Sequence, residues 1–277
     1  MTATKPLIFS DEDKYKELVS DYRKYFQSSK LNRVVLKYSE PMSLSEFIDS
    51  LPEFQLTSYL FVFNTINSSI QFYEKILDVE GYKKIYLSTG IIPKEREKRI
   101  DEIKAILKRN KESDIKEKFI VISTQLIEAG VDIDCDCAYR DLGPLDSIIQ
   151  VAGRCNRNNL SDKNGDVNIT KLHNDNNYDF CKIYDPTLND ISQRILQEKK
   201  IIPESEFIQI IEEYFKEAKQ KMYSDSHLIK SVTSLCFDGV DKANPVSSFK
   251  LIDDDERDTV SVSVVQAELL RLCGGAR

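Results

Sequence analysis

The stretch that decides the fold is "KFIVISTQLIEAGVDIDCDCAYRDLGPLDSIIQVAGRCNR", Lys118 to Arg157. It opens on a buried-type apolar run, "KFIVIS" (118–123). "TQLIEAG" (124–130) follows and reads as a short helix ended by Gly130. A second strand-like run, "CDCAYRD" (135–141), leads into a helix over "PLDSIIQVAGR" (144–154). Strand, helix, strand, helix across short connections is the pattern of a parallel α/β sheet.

The same alternation extends upstream. "RVVLKY" (33–38), "YLFVFN" (59–64) and "KKIYLS" (83–88) read as strands. "SLSEFIDSL" (43–51) reads as a short helix capped by Ser43 or Ser45, and "NSSIQFYEKIL" (67–77) as a second. "PKEREKRIDEIKAILKR" (93–109) is a third, with Pro93 near its start and a solvated charged face on which "DEIK" (101–104) pairs its charges. Residues 11–27 read as an amphipathic helix. Downstream, "DVNITKL" (166–172) and "CKIYD" (181–185) read as edge strands. From Pro186 the chain reads as helices with no strand between them, until "SFKLID" (248–253) and "TVSVSVV" (259–265) form a strand pair around the acidic turn "DDDERD". The domain expectation is a helical lead-in over 1–30, an α/β domain over 31–185, a helical region over 186–265 and a tail over 266–277.

Composition narrows the function classes. The 277 residues carry a formal net charge of -7, which argues against coating nucleic acid by bulk charge but leaves room for a local basic groove. Met1–Lys5 is not followed by an apolar segment of the signal-peptide kind, and "YLFVF" and "FIVI" are too short to span a bilayer, so a soluble cytoplasmic protein with no membrane partner is expected. The six cysteines contain no C-x-x-C pair and the two histidines lie far apart, so no metal site is expected. "DIDCD" (132–136) opens like a calcium loop, but Cys137 stands where that loop needs Gly and Gly143 where it needs Glu.

Against this acidic background Gln150, Arg154 and Arg157 stand at i, i+4 and i+7. If the helix from Pro144 continues that far, they form one stripe, with Gly153 leaving room for a close approach. Two readings stay open on residue chemistry alone. Paired guanidiniums suit a polyphosphate or a developing transition-state charge; they also suit a solvated patch or a helix end where arginine offsets the dipole. Ser123 and Thr124, at the end of an apolar strand, are plain helix caps or groups that meet a phosphate oxygen, and Asp132 is a turn residue or an acceptor for ribose hydroxyls.

Here the sequence resembles a family. "STQLIEAGVDID" looks like motif V of superfamily 2 helicases, and "QVAGRCNR" like motif VI, Q-x-x-G-R-x-x-R. The linker "YRDLGPLDSIIQ" is similar to that of the CRISPR-associated helicase of type I systems. "FVFNT" (61–65) resembles that family's motif IV, and "YLSTGIIPKERE" (86–97) the segment after it, with Arg96 as its arginine. Val151 and Gly90 depart from the family pattern. The resemblance is strong over about 31–185 and implies a second RecA-like domain. It implies Arg157 as an arginine finger on the γ-phosphate, Arg154 as its neighbour, and Gln150 as the residue orienting them. It further implies Gly153, Gly130 and Asp132 at the nucleotide, Ser123, Thr124, Asn64 and Thr65 along a single-stranded DNA backbone, and Arg96 beside that track.

The implied cofactor is ATP with Mg2+, held mainly by a first lobe that bears a P-loop. The implied partners are that lobe, an HD nuclease, a crRNA-guided surveillance complex and single-stranded DNA. The implied reaction is ATP hydrolysis coupled to 3′-to-5′ movement on DNA in antiviral defence. Two alternatives stand beside it: a non-catalytic helicase module acting through protein or DNA contacts, and another superfamily 2 repair or RNA helicase, against which the linker weighs. None of the nine glycines is followed by Lys, so G-x-x-x-x-G-K-[ST] does not occur in this chain. The purified chain is therefore expected to show negligible ATPase by itself; steady turnover of the chain alone that vanishes in Arg157→Ala would contradict the assignment of nucleotide grip to another lobe.

Overall fold

The computed structural model describes residues 23–26, 28, 32–76, 79–128, 131–158 and 164–221. The expected strand pair and tail lie outside the described residues, as does most of the helix expected over 11–27, of which one turn, α1 (Arg23–Phe26), is described.

Among the described residues seven strands make one sheet: β1 (Val34–Ser43), β2 (Ser58–Val62), β3 (Lys83–Leu87), β4 (Phe119–Ser123), β5 (Cys137–Asp141), β6 (Gly165–His173) and β7 (Ile201–Pro203). Their order is β3-β4-β2-β5-β6-β1-β7, and all pairs are parallel except β1 with β7. The helices are α2 (Leu44–Ser50), α3 (Ile66–Lys75), α4 (Pro93–Glu112), α5 (Leu145–Ala152), α6 (Pro186–Lys199) and α7 (Phe207–Lys221). This is a mixed α/β, RecA-like sheet with helices on both faces.

The central strands show why the sheet needs two covers. Every residue of β2 and β4 is buried. Successive side chains point to opposite faces. Leu60, Val62 and Val121 thus join an aliphatic cluster with Ile103 and Ile106 of α4, Ile148 and Val151 of α5, Ile191 and Ile195 of α6, and Ile210 of α7. Tyr59, Phe61, Ile120 and Ile122 join an aromatic cluster with Phe47 of α2 and Phe72 of α3. Phe61 is the hub there: its ring stacks on Tyr139 at 4.7 Å with 4° between planes and meets Phe72 at 4.6 Å.

Local signals set the helix starts. Ser43 and Glu46 form a reciprocal capping box on α2, Thr65 caps α3, and Asp185 caps α6 ahead of Pro186. Asp101 pairs with Lys104 at 3.4 Å on the outer face of α4.

The sequence expectation needs correction at five places. β6 is not an edge strand but lies between β5 and β1; its polar residues are met by neighbours, Asp166 by Lys37 at 2.6 Å and Asn168 by the Cys137 thiol at 3.5 Å. "CKIYD" is not a strand but a 3-10 turn, Phe180–Ile183, followed by the Asp185 cap. The described part of "TQLIEAG" forms a 3-10 turn, Gln125–Glu128, in place of an α-helix. The helix from Pro144 stops at Ala152. A strand, β7, stands between the last two described helices, and its Ile202 enters the aliphatic cluster.

Phe61→Ala is expected to cost about 3–5 kcal/mol, because a large buried ring leaves a cavity that a sheet centre closes poorly. Equilibrium chemical denaturation of the two proteins measures it.

Candidate functional site

The carboxyl ends of β2, β3, β4 and β5 gather at one side of the sheet, where parallel α/β folds place ligands. There Thr124 N donates to Leu87 O at 3.3 Å, and Ser123 Oγ to Thr124 O at 3.0 Å. Gln125 Nε2 donates to Asn64 O at 2.7 Å. Asn64 is 3% exposed, and its Nδ2 donates to Leu142 O at 2.6 Å. Ser123, Thr124, Asn64 and Thr65 thus lie on adjacent strand ends. Of these, Ser123, Thr124 and Asn64 are buried, while Thr65 is half-buried and spends its hydroxyl on Ser68 N at 3.0 Å. Arg96 sits in the first turns of α4, half-buried, with no side-chain partner among the described residues.

The two arginines do not form a helical stripe with Gln150. Gly153 closes α5, with Arg154 N donating to Val151 O at 2.8 Å and Cys155 N to Ala152 O at 3.0 Å. The chain then pairs with the segment ahead of β5 instead of continuing as helix. Cys135 N donates to Arg154 O at 3.0 Å, and Asn156 N to Cys135 O at 2.8 Å. Asn156 takes a positive φ of 43°, which Asn tolerates better than most residues. The Asp134 carboxylate accepts from Arg157 N at 2.7 Å and Asn158 N at 3.1 Å. Arg33 Nη1 donates to Arg157 O at 2.9 Å. Beneath this turn Gly165 is required: a Cβ there would meet the Cys155 sulfur at 2.6 Å.

That turn brings Arg154 and Arg157 together while Gln150 remains exposed on α5. Arg154 Nη2 donates to the Glu128 carbonyl at 2.9 Å. Burial, and then the neighbouring Arg157 charge, lower its pKa below the usual arginine value, with Asp132 opposing. Arg157 Nη1 pairs with Asp132 Oδ1 at 2.8 Å, with 40% and 76% of the two side chains exposed. Exposed pairs of this kind contribute about 0–1 kcal/mol, so Arg157 exchanges partners at little cost. Gly153 meets nothing closer than its own helix, where a Cβ would lie 3.4 Å from Gln150 O. Gly130 lies outside the described residues.

Sequence reasoning missed the centre of the site. Arg140, one residue from the carboxyl end of β5, has a side chain with no exposure. Its Nη1 donates to Asn64 Oδ1 at 2.5 Å and Asp141 O at 3.0 Å. Its Nη2 donates to Glu128 Oε1 at 3.1 Å, Ser147 Oγ at 2.9 Å and Tyr184 Oη at 3.0 Å. Ser147 also donates to Glu128 Oε1 at 2.7 Å. Gly143 leaves room for the group: a Cβ would stand 3.2 Å from Arg140 Nη2 and 3.1 Å from the Tyr184 ring. Burial raises the Glu128 pKa, and Arg140 opposes it. Asp141 is fully buried, accepts from Leu172 N at 3.1 Å, and is pushed up to about 7 by burial, against Arg140 and backbone donors. The available signal was a charged pair, "RD", inside an otherwise apolar strand, since such residues are almost never fully buried unless paired.

Residues 55–160 match the family described as CRISPR-associated nuclease/helicase Cas3, C-terminal. The region resembles the C-terminal part of a CRISPR-associated superfamily 2 helicase. A curated relative, the CRISPR-associated nuclease/helicase Cas3 of Methanothermobacter thermautotrophicus, is 33% identical over 162 residues, covering 57% of this chain and 18% of its own. The matched part is less than a fifth of the length of the curated relatives. Among solved structures, T. fusca Cas3 with AMPPNP has a TM-score of 0.55 at 12% identity, covering 75% of this chain and 26% of that one. A chain of a CRISPR RNA-guided surveillance complex in a pre-nicking state has the same TM-score at 12% identity, covering 74% and 27%. At these identities the structural likeness shows the fold, and the similarity over 55–160 is to the C-terminal part of a CRISPR-associated nuclease/helicase.

Asp141 sets a pH test. An unfolded aspartate titrates near ~3.9, the folded one at about 7. The folded state holds the proton more tightly, so this contribution to stability is full below about pH 4 and is lost as pH rises to about 7. Denaturation midpoints of wild type are expected to fall across that window relative to Asp141→Asn; parallel profiles would remove Asp141 as the group responsible.

Proposed function

We propose that this chain supplies the second motor lobe of an ATP-dependent CRISPR-associated DNA helicase. The observation that carries this reading is the arginine turn. Arg154 and Arg157 project from backbone locked by Asp134 and Cys135, and among the described residues the Arg157 side chain pairs with an exposed acid, Asp132. In a site closed against water, a multiply charged phosphate holds a guanidinium more strongly than an exposed carboxylate in water does.

The donor set fits the phosphate end of a nucleotide. Two adjacent guanidiniums, one lowered in pKa by burial and by its neighbour, are a concentration of positive charge awaiting an anion. In this reading Arg157 leaves Asp132 and stabilises charge on the transferring phosphoryl group, while Arg154 holds its flank. Gly153 leaves the approach open, and Asp132 lies on the ribose side. Magnesium-bound ATP, gripped by a separate P-loop lobe, supplies the phosphoryl chemistry. Thr65, Arg96 and the backbone around Ser123, Thr124 and Asn64 follow a single DNA strand by its phosphates, so base preference is low. The HD nuclease and the crRNA-guided surveillance complex are the proposed partners, the latter supported by the surveillance-complex neighbour. The proposed setting is cytoplasmic antiviral defence.

The test is reconstitution. Mixing the full chain with a matching P-loop lobe is expected to restore DNA-stimulated ATPase, and Arg157→Ala to lower kcat by about 10³–10⁵, the range for arginine fingers. No rescue by two folded lobes would leave the chain a non-catalytic module.

A further inference from the structure

The arginine turn and the strand ends are joined through one buried side chain. Arg140 takes Asn64, beside Thr65, with one guanidinium nitrogen and Glu128 with the other. Glu128 faces two ways: its carboxylate accepts from Arg140 and Ser147, and its backbone carbonyl accepts from Arg154. A continuous chain, Asn64–Arg140–Glu128–Arg154, thus runs from the end of β2 to the arginine turn.

Stability does not account for this arrangement. A buried ion pair is commonly no better than apolar residues of the same volume, and the residues paired with Arg140 on either side, Val62 of β2 and Ile169 of β6, are apolar, so Met or Leu would pack there. The network is also incompletely satisfied. The Nε atoms of Arg140 and Arg154 are both buried with no partner among the described residues, a cost that a purely structural cluster has no reason to carry. What the guanidinium provides is direction. Its rigid fork fixes Asn64 and Glu128 relative to each other, and Glu128 in turn fixes the carbonyl on which Arg154 rests.

We propose that Arg140 is a positioning residue: it orients Arg154 through Glu128 and ties that orientation to the backbone at Asn64–Thr65. Movement at the strand ends is thereby transmitted to the arginine turn. The functional meaning of this link rests on the motor-lobe reading; the orientation of Arg154 does not. Coupling is a free energy shared by two sites, and a direct measurement of it tests the link.

The first measurement uses the full chain alone. Phenylglyoxal labelling followed by mass spectrometry reads the reactivity of Arg154 against that of Arg157 in the same molecule. In Arg140→Met, Arg154 is expected to label about tenfold faster, the factor for losing one hydrogen bond to a charged group, while Arg157 is unchanged. An unchanged Arg154 to Arg157 ratio in a folded Arg140→Met overturns the proposal. If circular dichroism shows that variant unfolded, Ser147→Ala decides: it removes one support of Glu128, a smaller rise at Arg154 is expected, and no rise overturns the proposal. The second measurement is a double-mutant cycle on kcat in the reconstituted ATPase. Arg140→Met added to Arg154→Ala is expected to cost less than about twofold, because one residue acts through the other; effects that multiply overturn the proposal. Absence of ATPase from the wild-type mixture would instead count against the motor-lobe reading, and the labelling result would stand.

Discussion

A sheet of parallel strands leaves its central members without a solvent face, and that constraint organises this molecule. β2 is hydrogen-bonded on both sides, to β4 and β5, and buried on both faces. Its residues must be apolar throughout, and two separate helix layers must cover them. The aliphatic layer uses α4, α5, α6 and α7, and the aromatic layer α2 and α3. The two layers differ in chemistry because alternate positions of β2 do: Leu60 and Val62 on one side, Tyr59 and Phe61 on the other. Once the parallel order is set, every crossover returns the chain to the same side, and polar groups for binding collect where the strands end.

The same constraint explains where the arginines stand. α5 has only Leu145–Ala152 in which to cross its part of the sheet, and it ends beside the segment that leads into β5. A longer helix would have carried Arg154 away from Glu128. Stopping at Gly153 and pairing backbone with Cys135 exchanges helical hydrogen bonds for tertiary ones, and so fixes the arginines to a second segment of chain. Asp134 adds to this by accepting two backbone N–H groups that the ended helix leaves open.

Much of the fold was legible because its signals are local. The runs at 59–63 and 119–122 are apolar without interruption, and Ser43 and Pro93 mark helix starts. What was not legible depends on partners distant in sequence. "DVNITKL" alternates as an edge strand would, yet its polar side chains are met by Lys37 and Cys137 in neighbouring strands. The end of α5 is set by Cys135, which no reading of 144–157 by itself contains. Arg154 and Arg157 were found by spacing and resemblance, but the pairing of Arg157 with Asp132 was not. Arg140 was passed over because a single arginine in a strand reads as a surface residue; only the arrival of Asn64, Glu128, Ser147 and Tyr184 around it gives it another meaning.

The two outer strands of the sheet carry a further consequence. An open sheet ends in strands whose outward hydrogen-bonding groups invite another chain to add on. Among the described residues one end is β3, which begins with Lys83 and Lys84, and the other is β7, which has three residues, runs against its neighbour and finishes at Pro203. Charge at one margin, and brevity with a missing donor at the other, are both deterrents to edge-to-edge stacking. Among the described residues, these margins disfavour the stacking of one copy's sheet edge on another's.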